Sequence, residues 1–205
     1  YQFITFNYTN VLDRIIKFSK KQNPISTHLA NNGTSRKNII DNILHINGTI
    51  ESEMILGVND KSQINNEKLR SNDEFLDTFI KPRMNKALAQ NKENIAKNII
   101  SYSHIIYIFG MSIGETDRFW WQEIAKWLTV SDNNRLIIFC YEYDNALKRR
   151  LPSKIVRKSN QVINDFMNKA YPEKNRNVEL INKIKSRIFV TFESNIFKFE
   201  KIKDS

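Results

Sequence analysis

The stretch from Ser103 to Asp117, SHIIYIFGMSIGETD, constrains the fold more than any other part of the chain. Ile105 to Phe109 is an unbroken run of β-forming residues that stops at Gly110. Beyond it lie Met111, Ser112, Ile113 and Gly114, and a helix is expected to start at Thr116/Asp117. Trp120, Ile124, Trp127 and Leu128 follow at i, i+4, i+7 and i+8, one face of a helix. A strand apolar on both faces belongs to a sheet covered on both sides, so the joint predicts an α/β protein. In such sheets a small-residue turn between strand and helix lets backbone approach a ligand, and the first-turn amides of the helix favour anions. The joint alone does not identify a ligand, because every α/β protein contains such turns.

The remaining segments fit the same architecture. Phe3 to Phe6 reads as a strand leading into Asn7-Tyr8-Thr9, followed by a helix capped by Asn10, with Asp13 three residues on and Leu12, Ile15 and Ile16 on one face. Residues 20–42 are polar, contain Pro24 and Gly33, and read as a loop. A strand is expected over 43–50 and a short extended piece over 54–57. Residues 60–100 have helical period, with Phe75, Leu76, Phe79 and Ile80 as the buried stripe, a break at Pro82, and a second helix from Met84 to Ser101. Residues 135–142 form another apolar strand, 144–186 are mainly helical, and 187–192 with 196–200 read as a C-terminal β-hairpin. The expected fold is therefore one α/β domain over 1–205. It would hold a mostly parallel, doubly wound sheet with helices on both faces, a helical insertion at about 60–100 and an antiparallel edge from the hairpin. Ligands of such sheets sit beyond the carboxyl ends of the strands, here marked by Asn7, Gly48, Gly57 and Gly110.

Composition narrows the function classes. The chain has 205 residues and a formal charge of +10, yet its lysines are scattered among asparagines and acids. No zinc spacing, aromatic RNA-recognition signature or basic zipper helix is present, so nucleic acid is not the expected partner and an RNA-directed effector is the weakest reading. The single cysteine, Cys140, lies within an apolar strand and excludes a disulfide framework, which points to the cytoplasm. The longest apolar stretch, 99–113, is too short to span a bilayer, so no membrane partner is expected. Because the sequence opens directly on a strand pattern at Tyr1, an upstream segment is expected to be missing.

Four of the five glycines, at positions 48, 57, 110 and 114, fall at or just past strand ends. They serve either a close ligand approach or ordinary chain reversal. Asn7 offers an amide at a strand end, for a ribose or a water, or merely satisfies a turn. His45 and Asn47 are two apart on the expected strand and share a face; His45 reads equally as a general base and as a satisfied core histidine. His104 and His28 sit in the wrong places for chemistry. There is no catalytic carboxylate pair, nucleophile elbow, Walker loop or metal-ligand set.

Phe6-Asn7-Tyr8-Thr9, Leu44-His-Ile-Asn-Gly-Thr-Ile50, Ile55-Leu-Gly57 and Ile108-Phe-Gly-Met-Ser-Ile-Gly-Glu-Thr-Asp117 together resemble the bacteriophage abortive-infection AbiH family, over about residues 3 to 128. That family is in turn similar to sirtuin-like NAD-hydrolysing defence domains. The resemblance implies a Rossmann-like fold, NAD as substrate or ligand, and cleavage of the nicotinamide–ribose bond during infection. It also implies a glycine-rich phosphate-binding segment upstream of Tyr1. It places Asn7 at the nicotinamide ribose, with Thr5 and Gly48 in the cofactor-binding set. Gly110, Ser112 and Asp117 would lie by the adenine ribose or phosphates. Two positions depart from the family pattern. Asn47 stands where the family has the histidine that serves as base, and a neutral amide cannot accept the proton. His45 is on the same face, about 7 Å nearer the strand's start. Met111 stands where a histidine is common. The alternative expectation is thus a catalytically inactive nucleotide-binding or phage-sensing module. A phage protein trigger and a homo-oligomer complete the expected partners, beside NAD or ADP-ribose.

Overall fold

The computed structural model describes residues 1–22, 27–88, 91–141, 151–171 and 178–192. Its class is mixed α/β, with parallel strands in two small sheets. The chain divides into two compact units, Tyr1–Ile99 and Ile100–Ser205.

In the first unit, β1 (Phe3–Thr5) pairs in parallel with β4 (Ile43–His45), Thr5 opposite His45. The helix α1 (Val11–Gln22) lies between them in sequence, and it opens with Arg14 N–H donating to Asn10 O at 3.0 Å. Its first turn carries Asp13 and its last Lys20 and Lys21, each complementing the helix dipole. The expected loop at 20–42 contains a small antiparallel pair, β2 (Thr27–Leu29) and β3 (Ser35–Lys37), closed by a turn with Gly33 at φ 75°. Ser35, Arg36 and Lys37 are all exposed, so no apolar alternation betrayed the pair.

The strand expected over 43–50 stops at His45. Gly48, at φ 73°, turns the backbone back, and Thr49 N–H donates to Ser52 O at 2.9 Å. The helical expectation for 60–100 holds in shorter pieces: a 3-10 turn at Lys61–Gln63, then α2 (Glu67–Arg70), α3 (Asp73–Phe79), α4 (Lys81–Ala87) and α5 (Lys92–Tyr102). Asn66 and Asn72 cap α2 and α3 by accepting from first-turn amides. Pro82 sits in the first turn of α4, where its missing N–H costs nothing. The expected helix from Met84 to Ser101 is two helices, because α4 ends at Ala87. Leu76 and Ile80 from the expected stripe are buried with Ile64, while Phe75 stacks on Phe79 at 4.9 Å.

The second unit is a parallel three-stranded sheet in the order β5 (Ile105–Phe109), β6 (Arg135–Cys140), β7 (Ile188–Phe192). Its helices are α6 (Arg118–Val130), α7 (Pro152–Ala170) and α8 (Val178–Lys185). The core joins Ile108, Leu136, Ile138 and Ile188 of the sheet to Trp120, Trp121, Ile124, Trp127 and Leu128 of α6, Phe166 of α7 and Ile184 of α8. Trp127 Nε1–H donates to Ser103 O at 2.8 Å, which fixes α6 against the start of β5. Two expectations change here. The sequence predicts β5 buried on both faces, but Ile105, Tyr107 and Phe109 are about half exposed while Ile108 is buried. Helix α6 was expected to begin at Thr116/Asp117; a 3-10 turn, Glu115–Asp117, comes first, and neither Gly114 nor Asp117 makes a side-chain cap. The first arm of the expected hairpin is β7, which lies parallel to β6; the second arm, 196–200, falls outside the described residues.

Candidate functional site

The first unit gathers five of the candidate residues at the carboxyl ends of β1 and β4. Asn7 is exposed, its N–H donating to Thr5 Oγ1 at 3.2 Å, while its side-chain amide makes no hydrogen bond among the described residues. Thr5 is buried and spends its hydroxyl on that turn. Asn47 is also buried; its Nδ2–H donates to Phe6 O at 3.4 Å and its backbone carbonyl accepts from Ile55 N–H at 2.8 Å. Gly48 has a structural cause. A Cβ there would lie 2.1 Å from Glu53 O, so the turn itself excludes a side chain. Gly57 is similar, with Phe79 O at 2.1 Å.

His45 has a partner that sequence reasoning missed. Its Nε2 lies 2.9 Å from Asp13 Oδ2, and its Nδ1 lies 3.4 Å from Asn7 O. A carboxylate only accepts hydrogen bonds, so the short contact places a proton on Nε2. In the neutral ring Nδ1 then carries a lone pair facing the carbonyl oxygen of Asn7, which can only accept, so this contact becomes a hydrogen bond only once Nδ1 has taken up a proton. Asp13 thus orients the ring, and a proton taken up at Nδ1 would be donated to Asn7 O. The signal in the sequence was Asp13 itself, in the first turn of α1 between the two paired strands, but it reads there as an ordinary first-turn acid.

The second unit has a cavity of about 800 Å³ at the carboxyl ends of β5 and β6, a size typical of small-molecule sites. Gly110 and Ser112, both candidates from the sequence, line it. Gly110 has φ 67° and nothing within 4 Å of where a Cβ would stand, so here the glycine borders open space. The loop's far end is held by Trp121, whose Nε1–H donates to Gly114 O at 2.9 Å; the ring is buried edge-on to Phe166. Asp117 is not among the lining residues; it lies in the 3-10 turn. The strand ends contribute Phe109, Phe139 and Cys140, and α7 contributes Asp165, Asn168 and Lys169, which sequence analysis passed over. Their spacing was legible. Val162, Asp165 and Lys169 fall at i, i+3 and i+7 of one helix face.

Residues 1–141, which hold every candidate from Thr5 to Asp117 and end just past β6, match the model of the family described as Bacteriophage abortive infection AbiH. The chain belongs to the AbiH family. Membership gives this AbiH protein an anti-phage, abortive-infection role as its family context. Helix α7, with Asp165 and Lys169, lies beyond the AbiH match. No curated protein and no solved structure matches the chain. Among the described residues, no helix is long and apolar enough to cross a membrane, and no group of three or more potential metal ligands occurs.

Proposed function

We propose that this AbiH protein is a sirtuin-like abortive-infection effector that binds NAD and hydrolyses its nicotinamide–ribose bond. The observation that carries the reading is the His45–Asp13 pair beside the free amide of Asn7, at the carboxyl ends of β1 and β4 of the first unit; the second unit separately offers the cavity beyond β5 and β6, bordered by Gly110 and Ser112. In the proposed reaction the C–N bond to nicotinamide breaks, and its electron pair neutralises the ring nitrogen. A water oxygen bonds to the ribose carbon of an oxocarbenium-like state, and the water's proton passes to His45 Nδ1. Asp13 holds the proton on Nε2 and stabilises the imidazolium that results. The free amide of Asn7 binds the ribose or the water. Asn47 cannot serve as base, since an amide has no comparable basicity.

The second reading is a nucleotide-binding module without turnover. The buried Asn47 favours it, being a neutral side chain at the position of the family's base. Incubation with NAD, with nicotinamide and ADP-ribose quantified, separates the two. The hydrolase reading predicts turnover that Asp13→Asn lowers by about 10- to 100-fold in kcat, with KM unchanged. Asn7→Ala is expected to abolish turnover. Turnover only after Asn47→His would mark an inactivated hydrolase, and ADP-ribose binding with no turnover in any variant would establish the binding module.

A further inference from the structure

The cavity wall built by α7 has an uneven charge arrangement. Lys169 is the cation among its lining residues, and its Nζ lies 2.7 Å from Glu115 Oε2, a carboxylate that it shares with Arg118. One turn earlier on the same face, Asp165 lines the cavity, is exposed, and makes no hydrogen bond or ion pair among the described residues. Among the described residues, this wall therefore presents to the ligand a carboxylate that no ion pair or hydrogen bond engages.

An ionised carboxylate accepts hydrogen bonds and cannot donate them. The part of a ligand lying against Asp165 must bring donors, such as the vicinal hydroxyls of a ribose. A phosphate there would meet a like charge and lose its hydration without a partner. Phe109, Phe139 and Tyr141 supply apolar and aromatic surface for the base of a nucleotide.

Resting on the nucleotide reading above, we infer that Asp165 is the specificity-determining residue that selects a nucleotide with a free ribose over one bearing a ribose 2′-phosphate. Attraction to the hydroxyls and repulsion of the phosphate act together, so one side chain sets the preference. Because the repulsive part is electrostatic, the preference narrows as ionic strength rises.

The test is calorimetric titration of the protein, and of its Asp165→Asn variant, with ADP-ribose and with its 2′-phosphate. Asp165 is exposed on a helix, so the variant is expected to fold, and its Tm provides the check. The wild type is expected to favour ADP-ribose by about tenfold or more, a difference of about 1.4 kcal/mol. Asp165→Asn is expected to bring the two affinities within about threefold, mainly by tightening the phosphorylated ligand. Equal wild-type affinities, or a preference that survives Asp165→Asn, would overturn the assignment while leaving the nucleotide reading intact. Binding of neither ligand would overturn both.

Discussion

Trp121→Ala is expected to unfold much of the second unit, lowering stability by about 3–5 kcal/mol. Its indole is 1% exposed and packs edge-on against Phe166, which is fully buried, so truncation leaves a void between α6 and α7 that neither helix can close alone. Trp121→Phe separates packing from the hydrogen bond. It retains most of the ring volume and removes the donor to Gly114 O with part of the indole, at a cost of about 1–3 kcal/mol. The Gly110–Gly114 loop then loses its tie to α6. Urea unfolding of the two variants is expected to show a large and a small shift respectively. Weaker ADP-ribose binding by Trp121→Phe, out of proportion to its stability loss, would show that the tie serves the cavity. A small shift with Trp121→Ala would contradict the packing account.

Gly48→Ala and Gly110→Ala form the second test, because the two glycines share a backbone conformation and differ in surroundings. Gly48 has φ 73° and Gly110 φ 67°, so alanine pays the left-handed penalty at both, about 1–2 kcal/mol. At Gly48 the new Cβ would also stand 2.1 Å from Glu53 O and 2.9 Å from Ser52 O, all rigid backbone. The 48–53 turn must open, breaking the Thr49–Ser52 bond and the bond from Ile50 N–H to Tyr8 O at 2.8 Å. The expected total loss at Gly48 exceeds about 3 kcal/mol. At Gly110 no neighbour lies within 4 Å, and only the conformational penalty applies. Thermal unfolding of both variants measures the difference, and equal losses would refute the close approach at Gly48.

What the sequence made legible follows the strength of each local signal. The Ile105–Phe109 run, the Trp120/Ile124/Trp127/Leu128 stripe and the β6 run each had one dominant period, and each became the element expected. The strand over 43–50 was misread because Leu44, Ile46 and Ile50 keep β-type spacing through a turn that Gly48 actually forms. β2 and β3 were invisible because a fully exposed pair leaves no apolar pattern. The candidates at strand ends were legible as strand-end positions because strand ends can be read from a sequence. Asp13, Asp165 and Lys169 were not, since a charged residue on a helix looks the same whether it faces solvent or a cavity. The glycines divide on the same ground. Their scarcity marked them, but only neighbouring atoms distinguish Gly48 and Gly57, hemmed in by backbone, from Gly110, which borders open space.

Cys140 gives direct access to the central claim, that a nucleotide occupies the cavity beyond β5 and β6. It lines that cavity and is the only cysteine in the chain, so alkylation reports on one place alone. The measurement is the rate at which a small thiol reagent modifies Cys140, followed by intact mass, over a titration with ADP-ribose. The account predicts a saturable slowing that reaches the same half-point as ADP-ribose binding measured by calorimetry. A rate indifferent to ADP-ribose, at concentrations where calorimetry shows the ligand bound, would place the nucleotide elsewhere and contradict the account.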